Sequence, residues 1–436
     1  MSSVHHANCV SSVHHANYVS ERCHYRPTTT AKCIELLSLD VNDPAWSASK
    51  LSVRETLGES LDDERPTAVA TVSGVEGSAY RRPGAKRIFA GHESVGAITA
   101  GCLDGPVADL AERALDDGPV RETFDLTGED DEWGFGLGCN GVVDVLVEPA
   151  DASFRPALDR LVAGERAALL TVVGGSDADG PERSTDPAAT VGARALVDES
   201  GAATATDARP SIPDDVLDAV RETAAEFART GRSDTVVAGT DSGAAEVFVD
   251  GLEPAPELLI FGHGPDVRPV ARLARDAGFR VTVAVARGAR ADAEQFPHAH
   301  EVVATRPPAV SGAVSRPADT YAVVMSHNFV DDRLALDALL DTDVPYVGLM
   351  GPRERFERLR DALAEEGTRL SADDCDRIAT PVGLDLGGGE PTQVALSIVS
   401  EVLAASNGRE GGRLSTGERP IHPRESSDAE PSPDSS

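Results

Sequence analysis

Leu258-Leu259-Ile260-Phe261-Gly262-His263-Gly264 runs four apolar residues into a glycine-spaced turn, and its reading decides the fold of the second half of the chain. An apolar run this short, ending at glycine, is a strand buried on both faces. A helical pattern follows from Pro265 to Ala277, so the unit is strand, turn, helix, with the turn N–H groups free to face an anion. Further strands are predicted at Arg280–Val285, Tyr321–Ser326 and Val344–Leu349. They alternate with helices at Asp331–Leu340, from Gly351-Pro352-Arg353 through Ala364, and at Pro391–Ala404. Such alternation predicts an α/β domain over residues 257–405, a Rossmann-like, doubly wound parallel sheet.

The turn only half matches a dinucleotide fingerprint. Val267 stands where the third glycine belongs, and the second strand ends Val283-Ala284-Val285-Ala286-Arg287, with no carboxylate for a ribose diol. A structural tight turn and a nucleotide or pterin-phosphate site both stay open for Gly262 and Gly264, with His327 at the end of a later strand as a candidate contact.

Upstream, residues 46–253 read as an α+β domain. A helix at Val53–Leu61 leads to a strand at Thr67–Val72, with further strands at Lys86–Ala90, Ser94–Thr99 and Val142–Val147. Asp104 is a plausible cap of a helix whose apolar face is Val107, Leu110, Ala111, Ala114 and Leu115. Two glycine-cysteine turns, Gly101-Cys102-Leu103-Asp104 and Gly138-Cys139-Asn140-Gly141, carry sulfur; Cys102 sits at a helix entrance, where the dipole favours a thiolate. A degenerate second copy follows. Ala167–Val173 matches the first strand, Val191–Val197 echoes Pro83–Phe89, Asp214–Ala228 echoes the Asp104 helix and Ala245–Val249 echoes Val143–Val147. The copy lacks both cysteines, and its acidic stretch from Gly174 to Pro187 reads as a surface loop.

The ends of the chain differ in kind. Ser2–Val10 recurs almost unchanged as Ser11–Val19, so residues 1–45 read as a disordered leader, and residues 406–436 as a disordered tail. The chain of 436 residues carries a formal charge of -33 with only three lysines, which repels nucleic acid and anionic membranes and fits a salt-loaded cytoplasm. No apolar run is long enough for a membrane span, and scattered cysteines speak against a disulfide framework, so a cytoplasmic setting is expected.

Taken in order, Gly77-Ser78-Ala79-Tyr80-Arg81-Arg82-Pro83-Gly84-Ala85-Lys86, Gly96–Asp104 and Gly138-Cys139-Asn140-Gly141 resemble the amino-terminal domain of the XdhC/CoxI family. Ile260–Gly264, Val324-Met325-Ser326-His327-Asn328, Tyr346–Arg353 and Thr380–Gly387 resemble that family's Rossmann domain. The resemblance implies a maturation factor that is not itself an enzyme: it binds molybdenum cofactor in its molybdopterin form, assists its sulfuration with a cysteine desulfurase, and delivers it to a xanthine dehydrogenase-like or CO dehydrogenase-like hydroxylase. It places cofactor binding at Gly77, Ser78, Arg81, Arg82, Gly84, Lys86, Gly101, Cys102, Asp104, Cys139 and Gly141, with Cys102 or Cys139 near the molybdenum. Gly262, Gly264 and His327 are the candidates of the second domain, where NAD(P) is the competing ligand. An NADP-dependent oxidoreductase with a cysteine-bearing substrate domain, and a scaffold that holds no cofactor, are the alternatives; a homodimer is the default assembly.

Overall fold

The structure, a computed structural model, describes residues 45–91, 93–127, 141–177, 180–183, 190–240, 243–286, 288 and 291–416. The first half runs α1 (Lys50–Asp62), β1 (Thr67–Gly77), β2 (Lys86–Ala90), β3 (Glu93–Gly96), α2 (Asp104–Asp117), β4 (Val120–Asp125) and β5 (Gly141–Pro149). It continues with α3 (Arg155–Val162), β6 (Ala167–Asp177), β7 (Gly180–Arg183), β8 (Arg194–Asp198), β9 (Ala203–Ala205), α4 (Asp214–Thr230), β10 (Ser233–Thr240) and β11 (Gly243–Leu252).

Two antiparallel sheets result, ordered β3-β2-β1-β5-β4 and β10-β11-β6-β8-β9, with β7 paired to β6 alone. Substituting β6 for β1, β8 for β2 and β11 for β5 turns one order into the other, so the internal repeat is real. The copies agree in detail. Each central strand carries a bulge at the same place, after Val72 and after Val172. In each, a glycine N–H returns to the preceding carbonyl, Gly84 to Val72 and Gly192 to Val172, both at 2.8 Å.

The central strands are buried on both faces because each face has its own cover. Ala68, Ala70 and Val72 pack on α2 through Val107, Leu110 and Ala114, and Ala168, Leu170 and Val172 pack on α4 through Val220 and Phe227. The opposite faces meet at a seam: Val69 and Ile88 join Leu169 and Leu196, closed by Val53 and Leu57 of α1, by Ala157 of α3 and by Phe154 just before it.

The second half contains β12 (Glu257–Phe261), α5 (Val267–Asp276), β13 (Arg280–Val285), β14 (Glu301–Ala304), β15 (Thr320–Val324), α6 (Phe329–Leu340), β16 (Tyr346–Leu349), α7 (Arg353–Glu365), α8 (Ala372–Arg377), β17 (Ile378–Ala379) and α9 (Pro391–Ser406). All six strands are parallel, in the order β14-β13-β12-β15-β16-β17. Renumbered from β12 this is 3-2-1-4-5-6, the arrangement of dinucleotide-binding folds, with the reversal between β12 and β15. α5 and α9 cover one face, with Ile260 and Val283 beneath them; α6 and α7 cover the other, over Leu259 and Phe261.

Two sequence expectations are corrected. The stretch from Gly174 is not all loop: β6 continues through Asp177 and turns back as β7, because its pairing with β11 runs as far as Ser176. Asp104 does not cap α2; Leu103 takes that position and the Asp104 carboxylate turns instead to Arg87. No described helix is long and apolar enough to cross a membrane.

Candidate functional site

Sheet pairing gathers the cofactor candidates of the first copy at one end of its sheet. Gly77, closing β1, pairs with Gly141, opening β5, and Gly96, closing β3, pairs with Arg87 on β2. The turns 78–85 and 97–103 therefore leave the same edge, and Ala79 and Cys102 pack against one core. Cys102 is half-buried, and Thr99 Oγ1 organises its turn by accepting from the N–H groups of Gly101 and Leu103 at 3.3 and 3.4 Å. Trp46 stacks on Tyr80, the residue before Arg81, with ring centres 6.1 Å apart. Arg81 is half-buried and Arg82 exposed. Cys139 lies outside the described residues.

The glycines here do different work. Gly101 has φ +108 and open space where a Cβ would stand, so a ligand can approach the backbone beside Cys102. At Gly141 a Cβ would meet the Glu76 carbonyl at 2.5 Å and Ser78 at 2.8 Å, and at Gly84 it would meet Ser233 Oγ at 2.6 Å. Those two permit strand and seam packing, not ligand approach.

Period-two alternation sends the neighbours Lys86 and Arg87 to opposite faces. Arg87 reaches Asp104 at 2.6 Å and Ser94 at 2.9 Å beneath α2, a buried pair that fixes the helix entrance next to Cys102. Alternation makes Arg87 legible as the inward residue, but its partner is not local. Lys86 faces the seam and donates to Asp250 Oδ2 at 2.5 Å. Asp104 and Lys86, both candidate ligand contacts, are thus held by protein partners.

In the parallel-sheet half, the turns after β12 and β15 meet at the reversal point. A Cβ on Gly262 would meet the Met325 carbonyl at 2.9 Å, which is why glycine is needed there. A Cβ on Gly264 would collide with Asp266 Oδ1, so the Asp266 carboxylate lies against the turn at the entrance to α5, where such folds seat an anion. Its other oxygen is 2.7 Å from His327 Nε2. His327 holds a left-handed backbone, φ 60, between Ser326 and Asn328. The turn is pinned on both sides: Asn328 caps α6 through the N–H groups of Val330 and Asp331, each at 3.0 Å, and the buried Asp332 accepts from the Ser326 N–H at 3.1 Å and from Arg355 at 2.7 Å. Gly262, Gly264 and His327 are therefore brought together. Asp266, Asp332 and Arg355 were missed; the acidic residue inside the glycine turn was the available signal for the first. Among the described residues no three metal-ligating side chains converge.

Residues 258–402 match the model of the XdhC Rossmann domain, and residues 60–125 that of the XdhC and CoxI family. The chain is 26% identical to a probable xanthine dehydrogenase subunit of Bacillus subtilis (strain 168) over 351 residues, 79% of this chain and 94% of that one. It is 29% identical to the uncharacterized protein YqeB of Escherichia coli (strain K12) over 202 residues, 45% of this chain and 35% of that protein. A crystal structure described as a xanthine dehydrogenase from Bacillus halodurans superposes with a TM-score of 0.62 at 26% identity, over 85% of this chain and 98% of the other. With a family model matched in its doubled antiparallel half and another in its parallel-sheet half, the chain is similar to the XdhC and CoxI family in both halves.

Proposed function

We propose that this chain serves xanthine dehydrogenase maturation as a molybdenum cofactor chaperone in the cytoplasm, working as a homodimer. In this reading it holds and protects the cofactor, assists its sulfuration together with a cysteine desulfurase, and inserts it into a xanthine dehydrogenase-like or CO dehydrogenase-like hydroxylase. The observation that carries the reading is the edge of the first sheet, where an accessible glycine, a half-buried thiol and two arginines emerge from adjacent turns. Relatives named for xanthine dehydrogenase support the choice of client.

The residues fit the cofactor in part. Gly101 leaves room beside Cys102, and Arg81 and Arg82 offer guanidinium groups to an anionic ligand. Lys86, Gly84, Asp104 and Gly141 serve by shaping that edge. The cofactor itself supplies the metal-dithiolene chemistry used by the client enzyme. Here Arg87 and Asp104 hold the α2 entrance, Thr99 sets the Cys102 turn, and Trp46 stacks on Tyr80 beside the arginines. In the other half, Asp266 over Gly264 opposes a second anion, which weighs against NAD(P).

Equilibrium titration of the purified protein with molybdenum cofactor and with NADPH, in high salt, tests this. One cofactor per chain, weakened by Cys102→Ser with an unchanged melting temperature, is expected. Substrate-dependent NADPH consumption by the protein alone would make it an oxidoreductase instead.

A further inference from the structure

We propose that the seam between the two copies contains an oxyanion pocket, built by Lys50, Arg54, Arg81 and Lys86, that takes a phosphate or phosphomonoester group. The pocket has a volume of about 70 Å³, and its charged lining is those four cations and a single carboxylate, Asp250. Lysine is scarce in this chain, three in 436 residues, yet two of the three are here, in a protein whose formal charge is -33.

The carboxylate is already engaged. Asp250 accepts from Lys86 through Oδ2 at 2.5 Å and from Ser233 through Oδ1 at 2.8 Å. Arg54 donates to the Glu253 backbone carbonyl at 2.6 Å, and the Glu253 carboxylate is turned to Arg166 at 2.5 Å. Among the described residues, Lys50, Arg54 and Arg81 line the pocket without a direct ion pair, Asp250 and Glu253 acting on Lys50 and Arg54 only at longer range. Desolvation, the largest effect, lowers the pKa of Lys50 and of Arg54, while the Asp250 and Glu253 carboxylates act on both in the opposite direction. Burial outweighs those two carboxylates at both cations.

The repeat supplies an internal comparison. Register equates Lys86 with Arg194 and Asp250 with Glu148. Arg194 is fully buried and satisfied: it reaches Glu148 at 2.5 Å, Ser153 at 2.7 Å and Thr171 at 3.2 Å, and its guanidinium lies 4.2 Å from the centre of the Phe154 ring. Arg209 beside it pairs with Asp151. That side is filled and charge-balanced. Counted back along the chain from β1 and β6, Arg54 corresponds to Phe154 and Lys50 to Ala150, although Lys50 and Arg54 lie on α1 and their counterparts just before α3. Where one copy places an aromatic ring and a methyl group, the other places two cations around a space. Four cations, half-buried apart from the exposed Lys50, share one carboxylate of the lining, and a tetrahedral oxyanion is of the size and charge to balance the excess.

The inference shares Arg81 with the cofactor reading but stands or falls apart from it, since it concerns a simple oxyanion and is tested without molybdenum. Equilibrium dialysis of the full chain against labelled inorganic phosphate, at constant sodium chloride, is expected to show one site per chain. Lys50→Met and Arg54→Met should each weaken it about tenfold or more, and Arg113→Met, an exposed arginine of α2, should not; the melt of each variant reports folding, and Lys50 at the rim is the safer substitution. Competition by phenyl phosphate would mean the pocket admits the end of a larger phosphomonoester, and its failure to compete that only the free ion enters. No saturable binding of either probe, or binding that both lining variants leave unchanged, would overturn the proposal.

Discussion

Lys86 and Asp250 stand 164 residues apart in the chain and 2.5 Å apart in the seam. The pair joins the two copies crosswise, a cation of the first to an anion of the second, and Arg194 with Glu148 makes the reverse connection. The two locks differ in completeness, and that difference governs their cost when broken.

Arg194→Met leaves Glu148, 3% exposed, without its main counter-ion, and removing one partner of a buried pair costs about 3–5 kcal/mol. Lys86→Met leaves Asp250 with Ser233 and with Arg54 nearby, so it should cost less. Urea unfolding in high salt checks the ranking, which equal midpoints for the two variants would refute.

Asp332 is 1% exposed and holds both the Ser326 turn and Arg355. Asp332→Ala should lower stability by about 3 kcal/mol, since a buried N–H and a guanidinium lose their acceptor. Thermal unfolding measures it; a loss under about 1 kcal/mol would mean that water replaces the carboxylate.

Asp266 places negative charge against Gly264 at the entrance to α5. Removing it in Asp266→Ala should strengthen binding of pyrophosphate or NADPH several-fold, about 1 kcal/mol for a charge at a helix N-terminus. Fluorescence titration against the parent protein reads the change, and unaltered affinity would show that the carboxylate does not guard the turn.

His300 accepts from the Val281 N–H through Nδ1 at 2.9 Å, and burial, with Arg275 and Arg280 nearby, lowers its pKa to about 4. The unfolded chain, near 6.5, binds the proton first, so stability falls as pH drops from about 6.5 towards 4 and the loss is complete below the folded value. The contribution is of order 3 kcal/mol. His300→Asn should flatten this window while leaving the carboxylate-driven loss at lower pH; urea midpoints across the series decide it.

The repeat and the parallel half were legible because their strands are buried on both faces, so Leu258–Phe261 leaves an unbroken apolar run and Thr67–Val72 one interrupted only by threonine. β4 and β10 escaped notice as sheet-edge strands with polar residues such as Arg121, Glu122, Ser233 and Asp234. β14 and β17 are too short to set a period. At the site, the turns around Cys102 were visible as glycine punctuation, but partners were not: nothing local distinguishes Lys86, bound to Asp250, from a lysine free to meet a ligand. Lys50 lies outside the helix predicted at Val53–Leu61, and nothing local marks Arg54 until the second copy stands beside it.

The crosswise locks also bear on how such a domain comes to be one chain. A single ancestral copy carries both halves of the seam, a cation on its second strand and an anion on its fifth, so two identical copies would dimerise through two equivalent locks. Joining them by the few residues between β5 and α3 replaces a concentration-dependent encounter with an intramolecular one. The covalent tether makes the second lock redundant for assembly. One seam could then stay sealed by Arg194 and Phe154 while its counterpart was released to hollow out, and asymmetry that no homodimer can encode became available to a single polypeptide.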